Sequence, residues 1–174
     1  MIGSFIILDQ PDRAHELIDF FLKDQHPQGW NHWAEVVWKD SRFPGFIGDM
    51  PHTWVGSDFI NAIRSIFVYE NEYDQSLVLA SALYQDWIDS PNGMSVENLP
   101  TYYREISYSI KKSDNSYGFS IKGDLKLPAN GINIRNFNGL KLPNKVTVNG
   151  TPIKEFNAKE ITVKEIPAEI IIYY

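Results

Sequence analysis

The chain contains no cysteine among its 174 residues. Disulfides, zinc–thiolate sites and thiol nucleophiles are therefore excluded, while the compartment stays open. Positive charge is also scarce. Sixteen Lys and Arg against 22 Asp and Glu leave a formal net charge of -6. The basic residues form no stripe, so nucleic acid is not an expected partner. No apolar run approaches the roughly 20 residues of a membrane helix, and no membrane partner is expected. The apolar start, Met1 to Leu8, is short, lacks a basic residue and is followed at once by Asp9, which is unlike a signal peptide. Gly-rich phosphate loops and Gly-x-Ser-x-Gly elbows are missing, and His26, His32 and His52 lack metal-ligand spacing. Neither a cofactor nor a metal is expected.

What the chain does have is apolar mass, 43% hydrophobic and 14% aromatic, enough for a packed core. Its hydrophobic period changes along the sequence. Ala14, Leu17, Ile18, Phe21 and Leu22 recur at helical spacing behind Pro11, a residue suited to a first helical turn. Trp54 to Tyr69 carries Val55, Phe59, Ile63, Ile66 and Phe67 on one side, which predicts a second long helix. Trp30 to Trp38 is expected to add a turn or two of helix. Beyond Asp74 the period becomes two, with Leu77–Leu79, Ile106/Tyr108/Ile110, Phe119/Ile121, Ile132/Ile134, Val146/Val148, Ile161/Val163 and Ile170–Tyr173. Asn149-Gly150 is a strong hairpin signal because both turn positions need positive φ. The fold class is thus α+β, a helical segment over residues 1–74 followed by an antiparallel β-sandwich over 75–174. Two or three helices bury their own faces poorly. Such an open face invites self-association, so a homodimer of the isolated chain is one expectation.

Chemistry concentrates between residues 30 and 54, where four of the five tryptophans lie. Sugars offer apolar C–H faces to indoles and hydroxyls to Asp, Glu, His and Asn. Two readings of this cluster stand, a sugar pocket and helix-end packing. Within it Glu35 is the candidate catalytic carboxylate, lying between Trp33 and Trp38 where partial burial is expected. Trp30, Trp33, Asp49, His52 and Trp54 are the candidate substrate-binding residues. Asp49 suits a cap as well as a hydroxyl partner, and His52 suits a structural hydrogen bond as well as a site role. Trp87, Tyr102 and Tyr103 form either a stacking platform or packing. Glu97, Glu105, Glu155, Glu160, Glu165 and Glu169 read as solvated.

Three segments resemble the end of a bacterial (α/α)6-barrel glycoside hydrolase of the α-L-rhamnosidase-like kind. Trp33-Ala34-Glu35-Val36-Val37-Trp38 resembles the family's Trp-Glu-Arg-Trp-like catalytic segment, with Ala and Val where the family has Trp and Arg. Pro51-His52-Thr53-Trp54 resembles the Asn-His-Tyr segment that opens a late barrel helix, with Pro in place of Asn. The tail, from Leu83-Tyr84-Gln85-Asp86-Trp87 through Val96–Thr101 and Val146–Gly150 to Ile166-Pro167-Ala168-Glu169, resembles the β-sandwich that follows the barrel. The resemblance implies that residues 1–74 are the last helices of the barrel, that Glu35 is a general base in an inverting reaction, and that carbohydrate is the ligand. A twelve-helix barrel needs on the order of 300 residues. Upstream polypeptide is therefore an implied partner and would hold the general acid, leaving the isolated chain inactive. A parent of this kind is expected in the periplasm or outside the cell. The alternative is a non-catalytic carbohydrate-binding or structural β-sandwich module.

Overall fold

The elements follow the two periods in the computed structural model, which describes residues 1–23, 25, 29, 31–36 and 51–174. Two compact units form, Met1–Ser65 and Ile66–Tyr174. The sequence pattern alone places the change of period near residue 74.

In the first unit, α1 (Ile2–Ile7) buries Ile2 and Ile6, and α2 (Pro11–Lys23) buries Ala14 and Ile18. Asp12 in the first turn of α2 and Lys23 in its last turn complement the helix dipole. Asn31–Ala34 is irregular and Glu35–Val36 is a bend, where a turn or two of helix was expected. The reason lies in the backbone of Trp33. Its N–H donates to His32 Nδ1 at 2.9 Å, and its C=O accepts from the His52 N–H at 3.2 Å. Groups spent on those bonds cannot build a helical ladder.

The helix α3 (Thr53–Phe67) stops two residues before the expected Tyr69, and β1 (Val68–Asn71) follows directly. Val68 and Tyr69 are strand-favouring residues that pair with Leu79 and Val78. Thereafter come β2 (Ser76–Leu79), α4 (Gln85–Ile88), β3 (Met94–Leu99), β4 (Ile106–Ser113), β5 (Ser116–Lys122), β6 (Ile132–Arg135), β7 (Lys145–Val148), β8 (Thr151–Pro152), β9 (Glu160–Val163) and β10 (Ala168–Tyr173). The strands form a four-stranded sheet, β1-β2-β6-β9, and a six-stranded sheet, β3-β4-β5-β10-β7-β8. Every pairing is antiparallel except β2 with β6. The second unit is thus the β-sandwich of an α+β chain.

Register lines up the core. Ile110, Phe119, Ile170 and Val148 stand opposite one another across β4, β5, β10 and β7, and all four are buried. Val68, Leu79, Ile134 and Ile161 make the equivalent row across the smaller sheet, each fully buried. Burial of each such side chain stabilises by about 1.5–3 kcal/mol. The alternation along β4, β5 and β10 leaves one face of the larger sheet outside. A polar network also crosses the smaller sheet. Asn133 Nδ2 donates to Ser76 Oγ at 3.3 Å, Thr162 Oγ1 donates to Asn133 Oδ1 at 2.9 Å, and Ser76 Oγ donates to Asp74 Oδ1 at 2.6 Å. Asn149 (φ 49) and Gly150 (φ 82) turn β7 into β8 as their sequence predicts.

Candidate functional site

The two segments singled out in the first half of the sequence come together at the start of α3. His52 precedes the helix and caps it twice. Its C=O accepts the Gly56 N–H at 3.2 Å, and its ring Nδ1 accepts the Val55 N–H at 3.3 Å. With Nδ1 accepting, the neutral imidazole carries its proton on Nε2. The His52 N–H meanwhile reaches back to the Trp33 carbonyl. One residue therefore starts the helix and ties it to the Trp33–Glu35 segment. The His32 ring lies against α3 at Gly56, where an added Cβ would stand 3.6 Å from Cε1 and Nε2.

Trp33 acts as a packing anchor. Its Nε1–H donates to the Phe21 carbonyl at 3.2 Å, satisfying one of the last carbonyls of α2, which have no partner within the helix. Its ring packs on Phe59 with centroids 4.3 Å apart. Phe21, Trp33, Val55, Phe59 and Ala62 wall a cavity of about 210 Å³ with the Asp58 side chain among them. Asp58 was missed by the sequence reading. The signal was available, because Asp58 falls three residues after Val55 and four before Ala62, on the stripe that faces the cavity.

Trp54 does not pack. It is 74% exposed, and its ring lies 6.4 Å from that of His52, tilted by 36°. Glu35 is exposed as well, where partial burial was expected between two indoles. The local reason is visible. Ala34 takes the buried position, and the bend at Glu35–Val36 turns the next two side chains to solvent. Trp30, Trp38 and Asp49 lie outside the described residues. Chemically the arrangement offers an exposed indole face, an imidazole held in one tautomer and an exposed carboxylate on the bonded neighbouring segment.

In the sandwich, Trp87 belongs to a packed cluster. It stacks on Phe67 at 5.7 Å with planes 6° apart and meets Tyr84 at 4.8 Å. Tyr102 stands apart from it, highly exposed. Glu160 is half-buried and accepts from Arg135 Nη1 at 3.1 Å, so it is not the solvated residue expected. Glu169, on the central strand β10, is exposed and accepts from Ser120 Oγ. Among the described residues no helix is long and apolar enough to cross a membrane. No protein-family model, curated protein or solved structure matches the chain.

Proposed function

We propose that this chain is the C-terminal region of a glycoside hydrolase of the α-L-rhamnosidase-like kind, in which residues 1–74 complete a helical barrel and the β-sandwich supports it. The observation that carries this reading is the 3.2 Å bond from the His52 N–H to the Trp33 carbonyl. It joins the two segments whose residue types suit sugar binding. Glu35 serves as general base, activating water on the face of the sugar opposite the leaving group. Its exposure suits that task, because a base must reach water as well as substrate. Trp54 presents the stacking face, and Trp33 and His52 fix the walls. Trp30 and Asp49 complete the proposed set.

Inverting hydrolysis needs a second carboxylate as general acid. The resemblance assigns that group to an earlier barrel helix, so the chain alone is proposed to be inactive on glycosides. In the full-length parent, Glu35→Gln should lower kcat by several orders of magnitude, roughly 4 kcal/mol or more in barrier, with KM little changed. Near-normal turnover in that variant removes Glu35 from catalysis. Turnover by the isolated chain would defeat the reading of an incomplete site.

A further inference from the structure

A separate groove lies wholly within the sandwich, where β3 passes into β4. About 430 Å³ in volume, it is lined by Asn98, Thr101, Arg104, Glu105, Ser107 and Asp124, with further residues at its edges. That volume is within the roughly 300–1,000 Å³ of small-molecule sites.

The groove is built and held in place by the chain around it. Strand β3 shifts register between Val96 and Leu99. Asn98 there adopts a left-handed backbone (φ 54), and its N–H donates to Ser107 Oγ at 2.9 Å. The following turn closes on itself. Thr101 and Arg104 exchange two backbone bonds of 3.1 Å, and Thr101 Oγ1 donates to the Arg104 carbonyl at 2.5 Å. Arg104 is held at φ 90, unusual for a residue with a Cβ. Gly123 (φ 147) lets the opposite strand approach so closely that an added Cβ would stand 2.5 Å from the Glu105 carbonyl oxygen. Left-handed residues persist where the surroundings over-determine them, and they gather at ligand sites.

The lining identifies the ligand class. Amide, hydroxyl and guanidinium donors alternate with two carboxylates, and Arg104 Nη1 already donates to Asp124 Oδ2 at 2.6 Å. One cation against two carboxylates disfavours an anionic ligand. Among the described residues no group of three His, Asp or Glu could hold a metal ion. The bulge breaks the row of backbone groups that an added peptide strand would need. A neutral polyhydroxyl ligand fits donors and acceptors mixed in this way.

We propose that this groove binds a neutral glycan, with Arg104, Glu105 and Asp124 bonding its hydroxyls. The site is independent of Glu35 and Trp54, and stands or falls apart from the catalytic reading. Calorimetric titration of the full chain with neutral gluco-, xylo- and manno-hexaoses tests it, alongside an oligogalacturonate and an alternating Val-Thr peptide. Saturable binding of a neutral hexaose is expected at millimolar concentration or below. Asp124→Ala and Arg104→Gly should each weaken it by about tenfold, and Tyr73→Ala, at an exposed tyrosine outside the groove, should leave it unchanged. Arg104→Gly also relieves the left-handed backbone, and an unchanged urea midpoint in that variant separates loss of binding from unfolding. Three results each overturn the proposal: no saturable response to any neutral hexaose, tighter binding of the oligogalacturonate or the peptide, or loss of binding in Trp54→Ala with Asp124→Ala and Arg104→Gly unaffected. The last would move the glycan to the helical unit.

Discussion

Among the described residues of the helical unit, the buried apolar side chains are Ile2, Ile6, Ala14, Ile18 and Ala34, all aliphatic. The sandwich buries Tyr69, Tyr108, Tyr117 and Phe119 together with rows of Ile, Leu and Val. Large apolar side chains on the helical side stay outside, including Phe20, Leu22, Trp54 and Ile60. Among the described residues both regions are rich in apolar side chains, and the sandwich turns more of them inward. The difference teaches that apolar content alone does not locate a core. In the sandwich the period of two and the register commit each residue to a face, and the two sheets supply two surfaces to fill. In the helical unit the described residues leave several apolar side chains of α2 and α3 exposed.

The largest expected effect lies in the sandwich. Phe119 is almost wholly buried, stacked on Tyr108 at 5.0 Å and opposite both Ile110 and Ile170. Phe119→Ala should cost about 3–5 kcal/mol, read from the midpoint of urea unfolding at constant slope. A loss below about 1 kcal/mol would mean that the sandwich is not the self-contained core described here.

The middle effect depends on pH. The Tyr108 hydroxyl donates to the Phe67 carbonyl at 3.1 Å, and burial pushes its phenol up. An unfolded phenol ionises near pH 10, while the buried one holds its proton. Stability from this group is therefore full below about pH 10 and falls above it, by up to about 1.4 kcal/mol per pH unit. Tyr108→Phe should lose less stability than the parent between roughly pH 10 and 11.5. Equal slopes would assign the alkaline sensitivity to another group, and Tyr174, also raised by burial, is next in line.

The smallest effect is on the helical side. Trp54 is large but exposed, so Trp54→Ala should change stability by no more than about 0.5 kcal/mol. A loss of about 2 kcal/mol or more would show that the indole is packed in solution and would erase the contrast between the two units.

Much of this organisation can be read from the residues. Pro11 and the Ala14/Ile18 spacing mark α2, and Asn149-Gly150 marks its hairpin. The alternation of Ile106, Tyr108 and Ile110 names the inner face of β4. Other features depend on partners distant in sequence. Val68 and Tyr69 read locally as the end of a helical stretch, and pairing with β2 draws them into a strand. Met94–Leu99 has no clean alternation because a bulge interrupts it. Trp33 and His52 are conspicuous in sequence, but no local rule pairs two residues so far apart in the chain. The exposure of Glu35 depends on which neighbour, Ala34 or Glu35, takes the buried position at a bend. Composition says nothing about that choice.

The placement of β10 bears on how the molecule is made. It is the last strand in the sequence, yet it lies inside the six-stranded sheet between β5 and β7. A ribosome delivers β3, β4 and β5 as one ribbon and β7 with β8 as another, and neither can join the other until β10 has left the exit tunnel. Chain synthesis proceeds at about 5–20 residues per second, so both ribbons wait with open edges that are prone to stray pairing. Deleting Ala168–Tyr173 would remove the strand that both ribbons need. Mutations in β10 act on assembly of the whole sheet, whereas the same change at an outer strand such as β8 trims an edge.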